Sequence, residues 1–231
     1  KGKVLHMVNV QCFTKKGLYH KKKGEESQDA IIVYNEQNGL TVAAVCDGAS
    51  FSAYSGTAAR VVAKSISKYL CDNFEKLLIM NRQDMQMLLA KEIENLLLHE
   101  ATELGIDAKL LATTICAVAI DDSGRWVGAH LGDGNLLWKK RESNNIQYIS
   151  RPENPIDKSQ TYLTMNCYLP NHLRTYSWNK ELDTELLILT TDGVEFFQQD
   201  PDFDKSFLEI EKYCNEKNNI DDASYVILKI S

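Results

Sequence analysis

Residues that interrupt regular structure are sparse in this 231-residue chain, with 4 Pro and 12 Gly, which excludes a collagen-like repeat and a low-complexity disordered tract. Long apolar runs are missing as well. Stretches such as Leu186 to Leu189 and Ile115 to Ile120 fall far short of the roughly 18 residues needed to cross a bilayer, so no membrane span is expected. Positive charge is in deficit, with 26 Lys and Arg against 32 Asp and Glu, for a net charge of −6. A surface of that sign repels a phosphate backbone and argues against nucleic acid as a partner. None of the six cysteines forms a C-x-x-C pair, and the five histidines form neither an H-E-x-x-H helix nor a Cys/His cluster, so no zinc site is expected. Cys12, Cys46, Cys71, Cys116, Cys167 and Cys214 sit mostly in apolar segments and read as reduced core residues, which places the protein in a reducing cytoplasm. The sequence begins at Lys1 rather than a methionine, which leaves an earlier targeting segment open.

What is present is the composition of a globular domain able to bury a sizeable core, 44% hydrophobic and 25% charged. Val4 to Phe13 favours a strand, and the lysine-rich stretch Lys15 to Lys23 reads as a solvated loop. Ala30 to Tyr34 and Leu40 to Cys46 flank an Asn38-Gly39 step and predict an antiparallel hairpin. Helical spacing governs Ala58, Val61, Val62, Ile66, Tyr69 and Leu70, and again Met85, Leu88, Leu89, Ile93, Leu96 and Leu97, the second helix closing near Gly105. Leu110 to Ile120, Arg125 to Leu131, Asn135 to Lys140 and Ile146 to Ser150 then predict a meander of strands. Arg151 to Asn179 is polar, holds three of the four prolines and reads as a loop or flap. Leu186 to Thr190 predicts a buried strand, Phe203 to Glu216 a helix and Tyr225 to Ile230 a last strand. Hairpins and consecutive helices without regular βαβ alternation give an α+β class with antiparallel sheets. No repeat, linker or composition break divides residues 1–231, so one domain is expected.

Chemistry concentrates where strands end in aspartate. Asp47 follows the apolar run Thr41 to Cys46 and precedes Gly48, and Asp192 follows Leu186 to Thr191 and precedes Gly193. One Asp-Gly step is an ordinary turn, but two matching steps point to carboxylates held rigidly at a sheet edge. Asp133 repeats the arrangement in Leu131-Gly132-Asp133-Gly134, Asp29 opens the first hairpin, and Asp221-Asp222 precede the final strand. Carboxylates gathered without histidine or thiolate are hard oxygen ligands, and they repel one another unless divalent cations neutralise them. Magnesium or manganese is the natural occupant, and a pair of such ions suits hydrolysis of phosphate esters.

Six short motifs, Ser27-Gln28-Asp29-Ala30, Val45-Cys46-Asp47-Gly48, Ala112-Thr113-Thr114, His130-Leu131-Gly132-Asp133-Gly134, Thr190-Thr191-Asp192-Gly193-Val194 and Asp221-Asp222-Ala223-Ser224, stand in the order and rough spacing of the metal-dependent protein phosphatases of the 2C type. The chain resembles compact bacterial members of that family. The resemblance implies a four-layer α-β-β-α sandwich with two central antiparallel sheets and a binuclear Mn2+ or Mg2+ centre at one edge. It implies that Asp47 bridges two ions, that the Gly48 carbonyl binds one, that Asp192 and Asp221 hold the other, and that Asp29 ligates directly or through water. Asp133 matches a carboxylate that, with Asp192, holds a third, weaker ion in some members. Asp222 would assist the cluster from behind the ligands. The implied reaction is in-line attack of a metal-activated water on phosphoserine or phosphothreonine in a protein, with a cognate serine/threonine kinase as its counterpart.

The sequence departs from the family at Gly24, where an arginine usually grips the substrate phosphate five residues before the first aspartate. Lys21, Lys22 and Lys23 lie beside it, and Lys23 is a candidate phosphate-binding point charge, although lysine lacks the planar fork of arginine. Ala49 stands where some relatives carry a histidine after Asp-Gly. A catalytically weak or inactive phosphatase-like module that binds a signalling partner is therefore the alternative to the enzyme. A phosphatase of the haloacid dehalogenase type needs a second aspartate two residues after the nucleophile, and here Ala49 and Val194 stand at those positions.

Overall fold

Among the described residues, ten strands form two five-stranded antiparallel sheets, in the orders β1-β10-β9-β6-β7 and β2-β3-β4-β5-β8. They are β1 (Val8–Lys15), β2 (Ala30–Asn35), β3 (Leu40–Cys46), β4 (Ile115–Asp121), β5 (Trp126–Leu131), β6 (Asn135–Lys140), β7 (Gln147–Ser150), β8 (Arg174–Trp178), β9 (Thr184–Thr190) and β10 (Ala223–Ile230). The helices are α1 (Leu18–Lys23), α2 (Ser55–Asp72), α3 (Phe74–Ile79), α4 (Arg82–Leu104) and α5 (Leu169–His172). The structure, a computed structural model, describes residues 7–36, 39–143, 145–154, 161–164, 169–194 and 220–231.

The β2–β3 hairpin shows how the layers arise. Alternate side chains of a strand point to opposite faces. Ala30, Val42, Ala44 and Cys46 join Ala58, Val62, Ile66 and Leu70 of α2 in one core, while Ala43 and Val45 pack against Leu187, Leu189, Val226 and Leu228 of the opposite sheet. With both faces covered, β3 is buried at all seven positions, which is why its sequence is a continuous apolar run rather than an alternating one. Helix α2 lies across β2, β3 and β4, and α4 packs beside it against β8. Asn81 caps α4 by accepting from the Asp84 N–H at 2.9 Å, and Gly105 ends it at φ 65°. The second core, between the sheets, includes Trp126, with Trp138 edge to face against it and Trp178 edge to face against Trp138.

Four expectations need correction. Lys15 to Lys23 is not a loop: β1 runs to Lys15, and α1 follows because the Gly17 N–H is held by Asp222 Oδ1 at 2.7 Å and the Tyr19 N–H by the Ile220 carbonyl at 3.0 Å. The meander breaks after β5, since β6 crosses into the other sheet and pairs with β9 and β7. Gly132, at φ 103°, makes that turn possible. Within Arg151 to Asn179, α5 and β8 are regular, and β8 pairs with β5 from Trp126↔Trp178 to His130↔Arg174. The cysteines are not all core residues: Cys46 and Cys116 are buried, Cys12 is exposed and Cys71 half-buried, all four as free thiols. The helix expected over Phe203 to Glu216, residues 4–6 of the first strand, Asn38 of the hairpin turn, Cys167 and Cys214 lie outside the described residues.

Candidate metal centre

The hairpin register builds the site. Ala30 pairs with Cys46, and the Gly48 N–H donates to the Gln28 carbonyl at 3.2 Å, so the ladder continues past the named strands and sets Asp29 opposite Asp47. Both continue the odd-numbered row that includes Ile31, Ala43 and Val45, the row facing the other sheet. The two carboxylates therefore enter the gap between the sheets at one end of the sandwich.

Paired threonines fix this end. The Asp47 N–H donates to Thr114 Oγ1 at 2.9 Å, and the Asp47 carbonyl accepts from the Thr114 N–H and Thr113 Oγ1, each at 2.8 Å. From the opposite sheet, Thr191 Oγ1 donates to Asp29 Oδ2 at 3.2 Å and receives the Ser224 N–H at 3.0 Å. That bond ties β9 and β10 to the first hairpin. The turn after β9 is close-packed as well: a Cβ on Gly193 would stand 1.9 Å from the Asp222 carbonyl oxygen, so only glycine fits there. Arg174 Nη2 and the Glu153 N–H donate to the Gly132 carbonyl at 3.2 and 3.0 Å and hold the crossing that carries Asp133.

Four of the sequence-predicted acids, Asp29, Asp47, Asp133 and Asp192, are raised by burial and by neighbouring carboxylates. Burial pushes Asp47 well above the ordinary carboxylate range, and the charges of Asp29, Asp192, Asp221 and Asp133 add to the rise. Burial likewise lifts Asp29 to about 7, against hydrogen bonds from Ser224 and Asp47 and with the charges of Asp222 and Asp192. Asp133 rises to about 7 through burial and then the Asp192 charge, and Asp192 is raised by burial and Asp221. Asp29 Oδ1 and Asp192 Oδ1 are buried without a hydrogen-bond partner among the described residues. Buried anionic oxygens without donors are what a cation would satisfy.

No three of these acids close around a common point among the described residues. By its chemistry, an all-oxygen donor set suits hard divalent ions such as magnesium, which takes one or two carboxylates and keeps much of its water. The residues that could hold such ions are Asp29, Asp47, Asp133, Asp192 and Asp221, with the Gly48 carbonyl next to Asp47 in sequence.

Two predicted residues stand apart. Asp222 turns away from the gap and accepts from the Gly17 and Gln28 N–H groups, each at 2.7 Å, and from Ser27 Oγ at 2.9 Å. The buried His20 ring lies 3.0 Å from it, at an angle short of a directed hydrogen bond. Burial alone would raise Asp222, but these donors outweigh it and hold the carboxyl below the ordinary range. Asp222 thus clamps α1 to the strand end, and its charge still reaches Asp29. Lys23 lies exposed at the end of α1, where Nζ donates to Tyr19 Oη and sits 4.1 Å over the Tyr19 ring. Sequence reasoning missed Gly17, His20 and the Thr191–Ser224 bond. Gly17, whose Cβ would stand 2.3 Å from the Asp221 carbonyl carbon, was the one legible signal within the lysine-rich stretch.

The fold is shared with solved structures of low sequence identity. A bacterial serine phosphatase superposes with a TM-score of 0.69 at 16% identity, covering 97% of this chain and 98% of that one. The serine/threonine phosphatase Stp1 from Staphylococcus aureus gives 0.67 at 15% identity, covering 100% and 99%. RsbX in complex with magnesium gives 0.64 at 12% identity, covering 100% and 98%. No curated protein matches the sequence. The protein phosphatase 2C profile matches residues 16–224, and with the acids of its motifs gathered between two antiparallel sheets, the chain belongs to the protein phosphatase 2C family, a family of protein serine/threonine phosphatases.

Proposed function

We propose that residues 1–231 form one domain that removes phosphate from phosphoserine or phosphothreonine in a protein, using Mn2+ or Mg2+. The observation that carries this reading is that Asp29 and Asp47 stand opposite each other at the strand end, tied to the other sheet by Thr191, with the charges of Asp133, Asp192 and Asp221 acting on Asp47. Divalent ions bound there would supply an activated water and neutralise charge on the phosphoryl oxygens. The chain's own part is positional. Thr113 and Thr114 fix the Asp47 backbone, Thr191 orients Asp29, and Asp222 holds Gln28 and therefore the strand end on which Asp29 sits. The substrate would be a phosphoprotein made by a serine/threonine kinase. A reducing cytoplasmic setting is supported by the free thiols of Cys46 and Cys116. Among the described residues no helix is long and apolar enough to cross a membrane.

The test is phosphate release from a phosphothreonine peptide with Mn2+, beside an EDTA control and Asp192→Asn. Release that needs both the metal and Asp192 supports the enzyme. Gly24 favours a second reading, a phosphatase-shaped module that binds a signalling partner. It ends α1 at φ 69°, a conformation that strains an arginine, so the usual phosphate grip has no place on this turn. Calorimetric binding of Mn2+ without turnover would select that module.

A further inference from the structure

A 350 Å3 cleft opens between the end of α1 and the start of α2. Lys23, Gln28, Phe51, Gly56, Thr57 and Arg60 line it. Its place follows from the hairpin register. Gln28 lies opposite Gly48 on the even-numbered row, which faces α2, and Ser55 Oγ donates to Gln28 Oε1 at 3.0 Å. Asp29 and Asp47 occupy the other face of the same ribbon. The cleft and the carboxylate cluster are therefore neighbours at one strand end, on opposite faces of the ribbon.

The charges around the cleft single out Arg60. Two acids also line the cleft, and each has a cation of its own: the Glu25 charge acts on Lys23, and Glu26 lies 3.2 Å from Lys16 Nζ outside the lining. Arg60 is exposed, donates to Thr57 Oγ1 at 3.3 Å, and has no carboxylate partner among the described residues. Its guanidinium stays close to the helix, since a Cβ on Gly56 would lie 3.6 Å from Arg60 Nη1. Phe51, 70% exposed, offers an aromatic face at the lip. A guanidinium without a carboxylate partner among the described residues, on a protein whose net charge is −6, is a selective point for a carboxylate.

Resting on the phosphatase reading, we propose that this cleft receives an acidic side chain flanking the phosphorylated residue of the substrate, with Arg60 as the group that binds it. An extended peptide advances about 3.3 to 3.6 Å per residue, with side chains alternating in direction. A phosphoresidue at the cluster thereby sends a near neighbour to the cleft face.

The experiment compares kcat/KM for two phosphothreonine peptides, one with aspartates around the phosphorylated residue and one with serines there. Arg60 is exposed on α2 and alanine is a strong helix former, so Arg60→Ala keeps the fold. The acidic-to-neutral ratio should fall about tenfold in Arg60→Ala, mainly through KM, and recover in part in Arg60→Lys. A ratio that does not change, including an equal fall for both peptides, overturns the assignment. If the unmutated protein releases phosphate from neither peptide, the phosphatase reading fails and the cleft is judged by binding. Fluorescence anisotropy of the labelled acidic peptide in EDTA should then show about tenfold weaker binding to Arg60→Ala. Equal binding overturns the proposal on its own.

Discussion

Asp133→Asn converts the electrostatics of the cluster into a stability measurement. The Asp133 carboxyl is raised by burial and the Asp192 charge from 3.8 to about 7, so the folded chain favours its neutral form. A folded-state value above the unfolded one means that the neutral acid's contribution is complete below pH 3.8 and is lost progressively up to about pH 7. At about 1.36 kcal/mol per unit, the full penalty above pH 7 is about 4 kcal/mol. Residual solvent contact of the half-buried side chain lowers this to about 2 kcal/mol. Asparagine keeps the shape of the neutral acid and does not ionise. In EDTA, urea unfolding followed by tryptophan fluorescence should find the two proteins within about 0.5 kcal/mol of each other at pH 4, with Asp133→Asn the more stable by about 2 kcal/mol at pH 8. A gap of constant size across that range, or a variant less stable than the parent at pH 8, would refute the picture of a charge held under penalty.

Mn2+ should raise the melting temperature of the unmutated protein, by an amount equivalent to about 2.7 kcal/mol at a hundredfold excess over Kd, and by much less in Asp47→Asn; an equal shift in both would place the ion elsewhere. Gly193→Ala must move the Asp222 carbonyl, 1.9 Å from the added Cβ, and is expected to cost about 2 kcal/mol or more and most of the activity, read by urea unfolding and peptide assay. Asp222→Ala strips the partner from the Gly17 and Gln28 N–H groups, and hydrogen exchange at Gly17, Gln28 and α1 should rise while the β3–β4 core keeps its protection.

The legible parts of the molecule are those in which one local signal and burial agree. The β2–β3 hairpin, α2, α4, β9 and β10 each carry a period or an apolar run that their packing rewards, and the strand-end position of Asp47 and Asp192 followed from those runs. The illegible parts owe their structure to distant partners. Helix α1 is written in lysines and forms because Gly17 and Tyr19 find acceptors some two hundred residues later in sequence. The crossing after β5 could not be read because β6 chooses β9 over β5, a choice made by the far sheet. Strand β8, Arg174–Trp178, is short, largely polar and follows a proline-bearing stretch, and its pairing with β5 supplies the order that its composition withholds. Asp222 was legible as an acid near the site. Its work as a clamp was not, since its donors lie on Gly17, Ser27 and Gln28.

These dependences bear on how the site can be taken apart. Asp29 and Asp47 come from the first hairpin, Asp133 from the crossing, Asp192 from the end of β9 and Asp221 from the start of β10, so no single element contains the cluster. The charges of Asp29, Asp192, Asp221 and Asp133 raise the cost of ionising Asp47, and the Asp192 charge raises it at Asp29 and Asp133. Replacing Asp192 removes part of the penalty on Asp47, so replacing Asp47 afterwards relieves less, and the stability effects of that pair must be less than additive. A replacement outside it, such as Asp72→Asn on the exposed Lys68 pair, shares no partner with the cluster and must add independently. In EDTA at pH 8 the Asp47→Asn and Asp192→Asn gains should therefore overlap, whereas either combined with Asp72→Asn should sum. Cations saturating the site should abolish the gain from each cluster substitution, because the ionised form is then the favoured one.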